Sequence, residues 1–215
     1  MLLQKVVTSS VAVLISLMGS IAMAAGMPTG DAEAGAGKVV MCAACHGADG
    51  NSLAPTFPKL AGLGAPYLNK QMRDIRSGLR PVALMAGQVD NLSDQDLADI
   101  AAYYDAQDRT GEVADEALVD LGRKIYMSGI MERQVAACSG CHSPTGQGNG
   151  PAGYPALSGQ HADYIAQQLT MFRKGYEDPA GRVNDGDSKI MRTTAFQLSD
   201  LEIQAVANYA AALRQ

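Results

Sequence analysis

Cys42-Ala43-Ala44-Cys45-His46 and Cys138-Ser139-Gly140-Cys141-His142 use all four cysteines and two of the three histidines of a 215-residue chain. Cys-x-x-Cys-His is the attachment pattern for c-type haem. Its two thiols add across the haem vinyl groups, and the next residue is then held under the iron as an imidazole ligand. Two other readings compete: a Cys₄ zinc site built from both pairs and a dithiol redox pair. The gap between the pairs is far longer than a zinc ribbon uses, and zinc requires no histidine after each pair. The surrounding sequence also lacks an alternating strand–helix pattern. The motifs therefore imply two covalently bound haem c groups, attached through Cys42, Cys45, Cys138 and Cys141, with His46 and His142 as axial ligands.

Aligning the two motifs exposes an internal duplication. The offset is 96 within the motif and 97 beyond it, where Phe57-Pro58-Lys59-Leu60-Ala61-Gly62 matches Tyr154-Pro155-Ala156-Leu157-Ser158-Gly159. Tyr67, Gln71 and Gly78 match Tyr164, Gln168 and Gly175 at that offset. Near the end of each half the offset is 106, pairing Leu92-Ser93-Asp94 with Leu198-Ser199-Asp200 and Tyr103 with Tyr209, so the second half carries 9 extra residues between Gly175 and Met191. The expected organisation is a domain over 25–110, a linker over 111–120 and a domain over 121–215.

Each half reads as a short helical unit. A first helix from about Asp31, its N-cap, runs towards Cys42. A second spans Pro66 to Ser77 with Gly78 past its end, and it sets Leu68, Met72 and Ile75 on one face. The third starts at Ser93, where Ser93-x-x-Asp96 resembles a capping box, and turns Leu97, Ile100, Ala101 and Tyr104 inward. The second copy repeats it with Ser199-x-x-Glu202 and Ile203, Val206, Ala207 and Ala210. No run alternates as a strand does, so the fold class is all-α. Only 3 Phe and no Trp supply the cores, a deficit that a large apolar macrocycle in each domain would fill.

The sixth iron position needs Met, His or nothing. His161 is the one histidine outside the motifs, so two His/His irons cannot be built, and His161 reads better as a surface or domain-contact residue. Among the methionines the duplication selects Met85 and Met191, each seven residues before its Leu-Ser-Asp. Both are expected in the loop before the last helix. Met72 and Met171 have no Met counterpart and sit in expected helices, where a core role suits them. Pro58 and Pro155 either present a backbone carbonyl to the ligating imidazole or only turn the chain. Arg80, Arg192, Lys59, Tyr67 and Tyr164 are candidates for the haem propionates.

Residues 1–24 read as a secretory signal peptide: Lys5, an apolar run from Val11 to Met18, and Ala22-Met23-Ala24 as the cleavage motif. Ser16, Gly19 and Ser20 interrupt the run, which disfavours a permanent span, with a retained anchor as the alternative. Export fits haem attachment outside the bacterial cytoplasm, and the expected location is the periplasm. The chain has 17 Lys+Arg against 22 Asp+Glu, which argues against a nucleic-acid partner. Glu112, Asp115, Glu116 and Asp120 make the stretch 111–120 strongly acidic; with the acidic first half it is either a docking face for a basic partner surface or charge that only keeps an exported protein soluble.

Cys-Ala-Ala-Cys-His-Gly from Cys42, Phe-Pro-Lys-Leu-Ala-Gly from Phe57, Leu-Ser-Asp-Gln-Asp-Leu from Leu92 and Asn-Asp-Gly-Asp from Asn184 together resemble the cytochrome c4 family, the bacterial di-haem class I cytochromes. The resemblance covers the chain beyond the leader. It implies two tandem cytochrome c domains about a pseudo-twofold axis with haem propionate edges facing, and Met85 and Met191 match the family's axial methionines. It also implies one-electron transfer from a quinol–cytochrome c reductase to a terminal oxidase, with peripheral membrane association left open. An electron-accepting subunit dedicated to one dehydrogenase and a di-haem peroxidase are the alternatives. One departure is the short first-half loop between Gly78 and Met85.

Overall fold

The computed structural model describes residues 28–214. The signal-peptide reading of 1–24 lies outside them. Among the described residues the secondary structure is helical, with two isolated antiparallel bridges, Ile130 to Val135 and Asn149 to Tyr154. No helix there is long and apolar enough to cross a membrane.

In the first half, α1 (Ala32–Ala36) and α2 (Val40–His46) stand where one helix is expected. Asp31 does cap α1, accepting from the backbone N–H of Glu33 and Ala34. The chain breaks at Gly37 and restarts after Val39. α3 (Ala65–Arg76) follows, with proline in its first turn and Ser77 as C-cap. Gly78 then takes φ +79°, a left-handed conformation that favours glycine. A 3₁₀ turn at Ala83–Met85 precedes α4 (Asp94–Asp105), which opens on a complete Ser93–Asp96 capping box. Leu97, Ile100, Ala101 and Tyr104 are all buried, as the spacing requires.

The second half repeats the plan with α5 (Glu116–Ser128), a 3₁₀ turn at Met131–Arg133, α6 (Ser139–His142), α7 (Ala162–Gly175), α8 (Ile190–Phe196) and α9 (Asp200–Ala212). α9 carries its own Ser199–Glu202 capping box. α5 is one unbroken helix capped by Asp115, so residues 116–120 of the expected linker form its first turns. The acids there partly serve as helix start signals, which the charge count alone does not reveal.

Two hydrophobic cores result. One is built on Val39, Leu63, Leu68, Ile100, Ala101 and Tyr104, with Cys42 and Met72 packed against it. The other gathers Ile125, Tyr126, Ile165, Leu198, Ile203 and Val206 among others, with Cys138 against it. In each, the first and last helices cross at a glycine. A β-carbon on Gly35 would lie 2.8 Å from the Tyr103 Cβ, and one on Gly122 would lie 2.7 Å from the Tyr209 Cβ. Tyr103 and Tyr209 are repeat equivalents, so both halves use the same close approach.

The halves meet through reciprocal polar contacts. Arg80 donates to the Tyr164 hydroxyl at 2.9 Å and Gln168 Oε1 at 3.1 Å. Arg182 donates to the Tyr67 hydroxyl at 3.1 Å and Gln71 Oε1 at 2.9 Å. Each arginine thus makes the same pair of bonds to the opposite half, as a twofold-related interface demands. On the other side of the junction, Arg109 donates to the carbonyls of Ala61 (2.6 Å), Ser158 (2.8 Å) and Gly62. Burial lowers its guanidinium to about 10, still charged at neutral pH.

Candidate functional site

Cys42, Cys45 and His46 lie on α2, and Cys141 and His142 on α6 with Cys138 at its start. The cysteines form no disulfide. The two pairs do not converge: among the described residues no cluster of three or more His, Cys, Asp or Glu is placed to hold a metal ion. That removes the Cys₄ zinc reading. A redox dithiol needs a depressed thiol pKa, but burial pushes Cys42 up and Cys138 up to about 11. That direction runs against a redox dithiol, and so does the buried histidine that follows each pair.

Both motif histidines are buried and held in the same way. His46 Nδ1 donates to the Pro58 carbonyl at 2.8 Å, and His142 Nδ1 to the Pro155 carbonyl at 2.9 Å. Burial lowers both imidazole pKa values against the opposing pull of those carbonyls. A neutral ring with its proton fixed on Nδ1 by the proline carbonyl leaves the Nε2 lone pair for iron, as a metal-ligating histidine requires. Among the described residues neither Nε2 makes a protein hydrogen bond, so the donor set suits a covalent haem at each motif. Phe57 and Tyr154, repeat equivalents, flank the rings with centroids 6.2 and 6.3 Å away.

Met85 closes the 3₁₀ turn before α4, as a loop position should. Met191 instead falls in the first turn of α8, which the sequence reading placed in a loop. That short helix starts after Lys189, whose φ is +50°. Both sulfur-bearing side chains are half-buried and join neither hydrophobic core, whereas Met72 does.

Of the candidate propionate binders, Arg80, Tyr67 and Tyr164 meet at the domain junction, Lys59 is buried against Glu112 at 2.8 Å, and Arg192 pairs with Asp185 at 2.6 Å. Sequence reasoning missed Arg182 and read Asn184 only as part of a family motif; both are buried. Asn184 donates to Gln71 Oε1 at 2.9 Å and Asp74 Oδ2 at 2.6 Å of the opposite half. Both come from the nine-residue excess of the second half, so the length difference was the available signal. His161 is the domain-contact residue expected of it: its Nδ1 lies 2.9 Å from Glu112 Oε1 and its Nε2 3.0 Å from Ser52. Glu112 is thereby pinned between Lys59 and His161, not offered to a partner. The acidic face expected over 111–120 loses that member.

Two thiol pairs, each followed by a carbonyl-held imidazole, define a di-haem c-type cytochrome, with two covalent haems on one all-α chain. The Cytochrome c family matches residues 32–105 and 119–213. The chain is 53% identical over 189 residues to cytochrome c4 of Azotobacter vinelandii, covering 84% of this chain and 88% of that protein. It is 38% identical over 188 residues to a thiosulfate dehydrogenase electron acceptor of Stutzerimonas stutzeri, covering 85% and 84%. The crystal structure of reduced recombinant cytochrome c4 from Pseudomonas stutzeri superposes with a TM-score of 0.83 at 50% identity, over 86% of this chain and 100% of that one. The chain belongs to the cytochrome c family, in its di-haem cytochrome c4 branch. As such it is an electron-transfer protein.

Proposed function

We propose that the protein carries single electrons in the bacterial periplasm, accepting them from a quinol–cytochrome c reductase and delivering them to a terminal oxidase. The observation that supports this best is the repeated bond from His Nδ1 to a proline carbonyl, because it fixes a strong nitrogen donor under each haem site. A haem so held supplies one-electron ferric–ferrous chemistry. In this reading Cys42, Cys45, Cys138 and Cys141 hold the macrocycles, His46 and His142 give the nitrogen ligands, and Met85 and Met191 give the sulfurs. Sulfur together with imidazole ligation would favour the reduced state and raise the potential. It also fills the position that a peroxidase must open.

Arg80, Arg182, Tyr67 and Tyr164 would hold the haem carboxylates. Among the described residues the two guanidiniums donate only to neutral side-chain oxygens, those of Gln71, Gln168, Asn184 and the two tyrosines. Such a buried positive charge favours an anionic neighbour. A second reading, an acceptor dedicated to one dehydrogenase, draws on the similarity to the thiosulfate dehydrogenase electron acceptor.

The deciding experiment mixes the ferric holoprotein with quinol–cytochrome c reductase plus quinol, or with thiosulfate dehydrogenase plus thiosulfate, in stopped flow. Fast reduction by the reductase, reoxidation by a terminal oxidase and no binding of carbon monoxide to the ferrous protein are expected. Carbon monoxide binding to one haem with peroxide turnover would overturn the carrier reading in favour of a peroxidase. Reduction by the dehydrogenase alone would establish the dedicated acceptor.

A further inference from the structure

Lys59, directly after the Pro58 that supports His46, is gripped by the other domain; Ala156, directly after the Pro155 that supports His142, is not, and Arg109 reaches that segment at the Ser158 carbonyl, two residues further on. Gln160, from the second half, accepts from the Lys59 N–H at 2.9 Å and donates to the Lys59 carbonyl at 2.8 Å, both bonds buried. Lys59 directly follows Pro58, whose carbonyl holds the His46 ring. The neighbouring His161 adds a second hold. Its Nε2 lies 3.0 Å from both the carbonyl and the hydroxyl of Ser52, and that hydroxyl donates to the Phe57 carbonyl at 2.5 Å. Phe57, Pro58 and Lys59 are therefore fixed from both ends by one dipeptide of the opposite domain.

The pseudo-twofold partner contact does not exist. Leu63 and Gly64 occupy the positions equivalent to Gln160 and His161, and neither residue type has a side-chain group to donate or accept. The equivalent support around Pro155 comes from its own loop: Asn149 and Tyr154 exchange backbone hydrogen bonds of 2.9 and 3.0 Å. The residue after the proline is thus held across the junction in the first half and left to its own domain in the second.

We infer that Gln160, with His161, is a positioning residue for the first haem's axial histidine, so that domain docking sets the potential of the first haem and leaves the second alone. The inference rests on the axial role proposed for His46. The physical link is the strength of the bond from His46 Nδ1 to Pro58. A firmly held carbonyl makes the imidazole a more basic donor, which favours ferric iron and lowers the potential. Freeing the carbonyl weakens that donation.

The test uses Gln160→Leu in the full-length di-haem protein, a neutral exchange for the residue the first copy itself carries. Lys59 amide exchange should rise by roughly fivefold, the factor one buried hydrogen bond contributes. In spectroelectrochemistry the first haem should move to higher potential, shifting electron distribution towards it by roughly two- to fivefold, the factor one weakened hydrogen bond contributes. Its haem-methyl proton shifts, which report the imidazole plane, should move while those of the second haem stay. Faster Lys59 exchange with unchanged shifts and potentials would reduce the grip to simple packing and overturn the inference, as would equal shifts at both haems. The axial reading is checked separately with His46→Gly, which should lose one low-spin haem and regain it with added imidazole. If both haems remain low-spin in that variant, the ligand assignment fails on its own, whatever Gln160→Leu does.

Discussion

The two halves share their haem-binding grammar and differ in nearly everything around it. Thiol spacing, the proline carbonyl behind the imidazole, the glycine under the tyrosine at the helix crossing and the serine capping box all recur. What differs is how each unit is closed. The first has a broken leading helix, a short loop before Met85 and a proximal segment tied to its neighbour. The second has a continuous leading helix and a long loop whose Arg182 and Asn184 reach into the junction. The duplicated features build the thiol–histidine motif with its carbonyl support and the helix crossing. The divergent ones decide what each haem site feels from the other.

Removing the haem attachment sites should break this comparison most severely. The first core has six buried members and the second eleven, so the first half depends more on the macrocycle to complete its interior. Cys42→Ala with Cys45→Ala should leave one haem per chain by pyridine haemochrome assay and abolish amide protection in α3 and α4. Cys138→Ala with Cys141→Ala should also leave one haem, yet retain partial protection in α5 and α9. Equal loss of protection in both variants would mean the smaller core is not the weaker one.

Ligand variants sharpen the same contrast. Met85→Ala and Met191→Ala should each lower the far-red ferric band of sulfur–iron ligation by about half, one ligand per haem. Met72→Leu, which only packs the first core, should leave the band whole. Loss of the band in Met72→Leu would move the first ligand away from Met85.

The helix crossings offer a smaller effect. Gly122 lies within the 13-residue α5, and an added methyl would strike both the Ala205 carbonyl and Tyr209. Gly35 faces the same collision with Asp99 and Tyr103, but from a five-residue helix that stops at its Gly37 C-cap, so fewer residues must move with it. Gly122→Ala should cost about 2–3 kcal/mol in denaturant unfolding of the holoprotein, and Gly35→Ala about 1 kcal/mol, across the usual range for overpacking. The reverse order would show that α1 is the more rigid partner.

These contrasts also show what a sequence can carry. Local signals were legible: the thiol–histidine spacing, Ser93 and Ser199 as caps, the buried faces of α4 and α9, and Pro58 and Pro155 as one of two readings that the structure resolved. Contacts across the junction were not, because Gln160 to Lys59 and Arg182 to Gln71 join residues about 100 positions apart with no local pattern. Glu112 was misread for the same reason. An acid in an acidic stretch looks solvated until Lys59 and His161 are found on either side of it. The glycine crossings escaped because Gly35 and Gly122 differ by 87, an offset that the haem-centred alignment does not use. Met191 was placed in a loop because α8 is too short to show helical periodicity.

The smallest expected effect concerns acid. Each last helix has a capping-box carboxylate paired with a cation from elsewhere in its half: Asp96 with Lys38, and Glu202 with Arg133. Arg133 holds Glu202 down to about 2 from its ordinary 4.5, aided by the Ser199 cap and opposed by slight burial. Asp96 is likewise held low, first by Lys38 and then by Ser93. A depressed carboxylate contributes stability that is complete above its unfolded pKa and disappears as pH falls through its folded value. The Glu202 share is therefore lost from about pH 5 down to about pH 2. Arg133→Met should lower stability only slightly at neutral pH, since the Arg133 end of the pair is open to solvent. Arg133 also donates to the Gln197 carbonyl at 2.8 Å, and losing that bond gives an offset that does not vary with pH. Denaturant unfolding of both proteins at stepped pH separates the two parts: the gap between wild type and variant should narrow steadily as pH falls from 5 to 2. The Lys38–Asp96 pair is intact in both proteins and cancels from the difference. A gap that keeps its neutral value across that window would mean Arg133 acts through Gln197 alone, and that the two capping boxes, alike in sequence, are not alike in electrostatics.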